Sequence, residues 1–425
     1  MRIGSLGAKS AQDPQTYYLE NETAPPLRNN DLVKLRCHYD TRSWTRSSFV
    51  PFHASEDNGE MCNQYVMGSL SMSCKADPSC LDSGKLFVRD SLGGASGQVL
   101  AVAQDRTGAG SVLGQVTGVA LAPDEKGTLW AFHRAGKDWS NKDTIAGSTI
   151  IGSLSSVSDI LSGAGRQVAT KLGSAQFVVP HGLAVDSAGR LWVTDVELHQ
   201  VIQLDPSTGR RLLVLGEARR PGLDAKHFNK PTGVAFSPGG KLLYVADGYG
   251  NSRIAVFSLP NGEFLGQWGS RGTGPGQFDT PHSLAVDSAG RVYVADRNNA
   301  RVQVFAPFHT SSRTAGGLLS IWPGEGLRPW TSLSGSEMQA AVGAGGKPWL
   351  HHVSAVSYDP VLDVLFVVEG GRIVVRDLRG SALQSFGESL SWPHDVVSYT
   401  DLEKGVSVAW VAELTGQKVR QFVIH

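Results

Sequence analysis

Several things are scarce in this 425-residue chain, and each scarcity excludes something. It has four cysteines, Cys37, Cys62, Cys74 and Cys80, all within the first 80 positions, so no disulfide can form beyond that point and the N-terminal region stands apart from the rest. Net charge is also missing. Thirty-nine basic residues balance 39 acidic ones, and no cluster of Lys and Arg forms a phosphate-tracking stripe, which argues against a nucleic-acid partner. No apolar run reaches the roughly 18 residues needed to cross a bilayer. The opening MRIGSLGAKSAQDPQ lacks the apolar centre of a signal peptide.

What is abundant points to strands. Fifty glycines and many Asn, Asp and Ser turns separate short valine-rich runs, which predicts an all-β chain. One unit recurs: VTGVALAPDEKGTLWAFHR from Val116, PHGLAVDSAGRLWVTDV from Pro180, PTGVAFSPGGKLLYVADGYG from Pro231, PHSLAVDSAGRVYVADRN from Pro281, VSAVSYDPVLDVLFVVEG from Val353 and PHDVVSYTDLEKGVSVAWVAE from Pro393. Repeats of this length with several strands each are the sequence form of a β-propeller, and six copies predict six blades. GQVLAVAQ near residue 100 is a candidate strand for closing the ring. The expected organisation is a short β-rich fragment over 1–85, a linker over 86–96 and a six-bladed propeller over 97–425. A Gly/Ser/Pro-rich insertion over roughly 307–350 is expected to interrupt the fifth blade as a surface loop or lid.

In a propeller the first strand of each blade lines the central channel, so equivalent positions form a ring. That ring reads Thr117, His181, Thr232, His282, Val353 and His394. Histidine on alternate blades brings three imidazoles to one axis from three sides, with a fourth position open, which fits catalytic zinc. His352 stands beside the ring; His199, His227, His309 and His425 read as ordinary. A second ring holds His133, Asp195, Asp247 and Asp296, whose acids are expected to join strands by hydrogen bonds. Arg134 and Arg297 follow it at equivalent positions, and Tyr249 stands one residue further on in blade three.

At the N-terminus, PQTYYLENE, LRCHYD and NGEMCNQYVM resemble the end of the copper monooxygenase domain of the peptidylglycine alpha-amidating monooxygenases. The resemblance implies that Met61 descends from a copper ligand and that Cys37 and Cys62 form a disulfide. The histidine ligands of that domain belong upstream of this chain, so neither copper nor monooxygenase activity is expected here. An incomplete N-terminus would account for the missing signal and monooxygenase.

Over nearly all of 97–425, HGLAVDSAGRLWVTDVELHQV, LVLGEARRPGLDAKHFNKPTGVA, VADGYGNSRI, GPGQFDTPHSLAV and WPHDV resemble the peptidyl-alpha-hydroxyglycine alpha-amidating lyase domain. The resemblance implies an NHL-repeat propeller that converts a peptidyl-alpha-hydroxyglycine to a peptide amide and glyoxylate. It maps zinc onto His181, His282 and His394, structural calcium onto the carbonyls of Val119 and Leu183 and the carboxylate of Asp395, and catalysis onto Tyr249, Arg134 and Arg297. It also implies a secretory location and a peptide partner; a monomer is expected. Two disulfides of that family are lost, at Asn229 with Gly250 and at Tyr293 with Val304, and Trp392 replaces a methionine of animal members. The competing readings are a non-catalytic NHL propeller that binds a protein or RNA, and a calcium-dependent propeller hydrolase.

Overall fold

The chain divides into two units, Met1–Phe87 with Leu402–Gly405, and Val88–Asp401 with Val406–His425. The computed structural model describes residues 97–98, 113–123, 128–154, 167–314, 316–342, 347–388, 390–401 and 406–424, all in the second unit. The 1–85 fragment, the 86–96 linker, Met61 and the Cys37–Cys62 pair lie outside the described residues.

The second unit is a six-bladed β-propeller of antiparallel four-stranded sheets. From the axis outward, blade 1 is Val116–Leu121, Leu129–His133, Ile150–Leu154 and Gln167–Leu172, and blade 2 is Pro180–Val185, Leu191–Asp195, Gln200–Leu204 and Arg211–Leu215. Blade 3 is Gly233–Phe236, Leu242–Asp247, Arg253–Ser258 and Glu263–Trp268, and blade 4 is Pro281–Val286, Val292–Asp296, Arg301–Phe305 and Leu318–Pro323. Blade 5 is Val353–Asp359, Val364–Glu369, Arg372–Arg376 and Ala382–Phe386. Blade 6 takes three strands from the C-terminus, Pro393–Asp401, Val406–Glu413 and Lys418–Ile424. Its fourth is Gly97–Gln98, which pairs with Phe422 and Gln421, so the stretch near residue 100 closes the ring as expected.

Second strands such as Leu191–Asp195 and Leu242–Asp247 are buried along their whole length, because blades pack on both faces. The apolar clusters fall between neighbours. One joins blades 1 and 2 through Phe132, Leu183 and Ile202, and another joins blades 6 and 1 through Trp410, Val119 and Ile151, so the circle is continuous. The DSAGR turns have a local cause. Asp186 Oδ1 accepts from the amides of Ala188 and Arg190 at 2.9 and 3.0 Å, and Asp287 does the same for Ala289 and Arg291. Gly189 and Gly290 take the left-handed φ, 79° and 83°, that the turn requires.

Two expectations are corrected. The residue of blade 5 equivalent to His282 is Ser354, not Val353: Val353 pairs with Glu369 as Pro281 pairs with Asp296, and a bulge then frees the next residue from the ladder. The insertion does not interrupt blade 5. Leu318–Pro323 is the outer strand of blade 4, and the extra segment lies between it and Val353, carrying an eight-residue helix, Gly335–Val342.

Candidate active site

The bulges that follow Pro180, Pro281 and Pro393 release the next residue from the ladder, and each such residue is a histidine. His181, His282 and His394 are buried and meet on the axis, with ring centroids 4.7, 4.7 and 4.8 Å apart and ligand nitrogens within 4.8 Å of one another. In each, Nδ1 faces a backbone carbonyl of the neighbouring blade that lacks a histidine: Thr232 at 2.7 Å, Ser354 at 2.7 Å and Thr117 at 2.6 Å. A carbonyl only accepts, so each Nδ1 carries the proton and each Nε2 aims a lone pair inward.

Tyr249 Oη lies 3.0 Å from Nε2 of both His181 and His282. One hydroxyl proton therefore faces two acceptor nitrogens, and His394 Nε2 adds a third lone pair to the cluster. Protonating the imidazoles does not resolve this. Burial first, then the charges of neighbouring histidines and arginines, holds His181 and His282 well below the ordinary histidine range, and burial with Arg134 pushes His394 down to about 3. What satisfies converging neutral imidazoles is a cation, and the carbonyl on each Nδ1 is the outer support such ligands use.

Two guanidiniums sit beside this cluster. Arg134 is buried, and burial pushes its pKa down to about 10. It donates from Nη1 to Gln115 Oε1 at 2.6 Å and from Nε to the Pro180 carbonyl at 3.3 Å, both neutral. Arg297 lies over the Tyr249 ring with Cζ 5.8 Å from the centroid. Among the described residues neither forms an ion pair, in contrast to Arg253 with Asp247 at 2.9 Å, Arg301 with Asp296 at 2.7 Å and Arg376 with Glu369 at 2.5 Å. Two unneutralised cations beside a metal-ready cluster are a seat for an anion.

The second ring is structural. His133, Asp195, Asp296, Glu369 and Glu413 are register equivalents at the ends of second strands, and Asp247 ends that of blade 3. Asp195 accepts from the amides of Val178, Val179, Glu197 and Leu198, which ties the blade entry to its second strand. Below the histidines the inner strands enclose a channel of about 470 Å³ whose walls include Val119, Leu183 and Asp395. Asp395 accepts from the amides of Val119 and Val396, each at 3.0 Å, and burial in the channel pushes its pKa up to about 7.

Sequence reasoning missed Gln115, the support of Arg134, and Trp139, whose ring contacts both Tyr249 and Arg134. It named His352 and Trp392 but missed their partners: Trp330 sits 5.7 Å from His352, and Trp349 stacks on Trp392 at 4.8 Å. Most of these residues lie outside the repeat, so register could not find them. The two pairs at which the resemblance implied replaced disulfides are each brought together: Tyr293 and Val304 are direct cross-strand partners, and Gly250 and Asn229 are in contact.

The NHL repeat family matches residues 177–204, 228–257 and 278–305, the first three strands of blades 2, 3 and 4. Peptidyl-glycine alpha-amidating monooxygenase A of Xenopus laevis is 31% identical over 363 residues, 71% of this chain and 37% of that protein. The peptidylglycine alpha-amidating monooxygenase of Rattus norvegicus is 42% identical over 211 residues, 45% of this chain and 20% of that protein. Peptidyl-alpha-hydroxyglycine alpha-amidating lyase 2 of Drosophila melanogaster is 35% identical over 201 residues, 44% of this chain and 47% of that protein. The chain thus spans less than two thirds of each of these relatives.

Proposed function

We propose that this chain, an NHL-repeat relative of the peptidyl-alpha-hydroxyglycine alpha-amidating lyases, is itself such a lyase, cleaving a peptidyl-alpha-hydroxyglycine into a C-terminally amidated peptide and glyoxylate. The observation that carries the reading is the conjunction on one axis of three neutral imidazoles, a phenol touching two of them, and two guanidiniums without carboxylate partners.

His181, His282 and His394 would hold the metal through Nε2, and zinc suits an all-imidazole set. Such an ion supplies a Lewis acid that makes a substrate hydroxyl easier to deprotonate. Arg134 and Arg297 take the carboxylate of the terminal residue, the planar fork of each matching its two oxygens. Tyr249 Oη, 3.0 Å from two of the imidazoles and on the ring that Arg297 covers, handles the hydroxyl proton. As that oxygen becomes the aldehyde oxygen of glyoxylate, the carbon–nitrogen bond breaks and the departing amide nitrogen gains a proton, so the step is redox-neutral. Deeper in the channel, Asp395 with the carbonyls of Val119 and Leu183 is the proposed calcium site. A carboxylate with only amide partners, from blades 6 and 1, beside the Leu183 carbonyl of blade 2, favours a hard cation that would tie the ring closure together.

The test is release of glyoxylate from a synthetic peptide ending in alpha-hydroxyglycine. The wild-type chain is expected to release it stoichiometrically with peptide amide, and His282→Ala to abolish release while leaving the β-sheet circular-dichroism spectrum unchanged. Activity that survives in His282→Ala overturns the mechanism.

A further inference from the structure

Nine of the ten tryptophans lie in the described residues, and of these Trp139 alone is exposed, at 38%. More than a third of that residue's surface stays in contact with water beside the site, a partial loss of hydrophobic gain that invites a reason. The loop, which joins the second and third strands of blade 1, is firmly built. Lys137 Nζ donates to Asn141 Oδ1 and to the carbonyls of Asp143 and Thr144, and Asp138 Oδ1 accepts from the amides of Ser140 and Asn141. Lys142 Nζ donates to the Trp139 carbonyl at 2.8 Å and pairs with Glu197 at 3.0 Å, and Glu197 pairs also with Lys230 at 3.2 Å.

The held indole is in contact with the reacting groups. Its ring lies edge-on to Tyr249 with centroids 5.0 Å apart, and Arg134 Cζ lies 5.1 Å from its centroid. Lys142 Nζ, at 4.9 Å, marks the solvent side. The guanidinium and the phenol would grip the carboxylate and the hydroxyl of a terminal hydroxyglycine, so the residue bonded through its nitrogen leaves the centre beside this ring. We propose that Trp139 is the subsite for the residue preceding the hydroxyglycine and selects an aromatic or branched aliphatic side chain there, by apolar and edge-to-face contact. This inference rests on the lyase reading.

Its test compares two synthetic peptides that differ only in the residue before a terminal alpha-hydroxyglycine, Phe in one and Asp in the other. The wild-type chain is expected to favour Phe by about tenfold or more in kcat/KM, the scale of one aromatic contact with its buried area. Trp139→Ala should bring the ratio to within about twofold, chiefly through KM of the Phe peptide, and Trp139→Phe should restore most of it. If Trp139 only props Tyr249, both peptides lose kcat/KM in parallel and the ratio stays, which overturns the subsite. A wild-type chain without preference overturns it equally. Failure of both peptides to yield any glyoxylate instead overturns the lyase reading on which the subsite depends.

Discussion

Arg134 keeps its charge available because its partners are the neutral Gln115 Oε1 and a backbone carbonyl, whereas Arg253, Arg301 and Arg376 are each cancelled by a carboxylate. Gln115→Glu supplies the missing carboxylate at the same distance. It is expected to raise KM for a hydroxyglycine peptide about tenfold, roughly 1.4 kcal/mol, with a smaller change in kcat. An unchanged KM would show that Arg134 does not seat the substrate anion. The histidines were legible in the chain because Pro-His recurs at one register position, and Arg134 and Arg297 because each follows the end of a second strand. Gln115 and Trp139 were not. Gln115 lies just outside the repeated unit and gains meaning only when the strand end of blade 1 brings Arg134 against it, and Trp139 lies in a loop without counterpart in the other blades.

The segment that carries Tyr249 contains no cysteine and is held by hydrogen bonds. Tyr249 and Gly250 donate to the carbonyls of Lys230 and Asn229 at 3.3 and 2.9 Å, and Asn251 Nδ2 reaches Asp247 and the Gly222 carbonyl. A methyl group on Gly250 would meet only the end of the partly exposed Asn229 side chain, 2.2 Å from Cγ, which can swing aside, so Gly250→Ala is expected to change stability little, while the pair Asn229→Cys with Gly250→Cys is placed to bridge. The bridge should add about 2 to 4 kcal/mol, read as a Tm that falls on reduction; a Tm indifferent to reductant contradicts the proximity. At the end of the second strand of blade 1, burial pushes His133 down to about 4. The unfolded chain binds that proton near 6.5, so the contribution of His133 to stability is intact above pH 6.5 and is lost as pH falls towards 4, by about 3 kcal/mol in full. Urea midpoints between pH 7 and 4.5 should accordingly fall less steeply in His133→Asn; an equal slope refutes the assignment. The bulge that puts Ser354 rather than Val353 opposite His282 was hidden because bulges shift register without changing the apolar pattern. The outer strand of blade 4 was hidden because Leu318–Pro323 lies inside a stretch whose glycines and serines read as loop.

At the scale of the whole molecule, the blade count and the ring of equivalent positions in every blade but the fifth followed from repetition alone, since each blade buries a face only against a neighbour. Closure depends on pairing distant parts of the chain, Gly97–Gln98 with Lys418–Ile424. A chain beginning at Val99 should therefore melt at least a few degrees below one beginning at Val88, the first residue of the second unit. Equal melting temperatures would mean that the closing strand adds nothing. The ring matters for chemistry because His181, His282 and His394 come from blades 2, 4 and 6 and converge only if all six blades close. The most direct test of the account is the metal content of the chain purified without chelators, measured by elemental analysis beside His282→Ala. It predicts one zinc ion per wild-type chain at this centre and its loss from the variant; a wild-type chain with far less than one zinc, or a variant that retains the full amount, contradicts it.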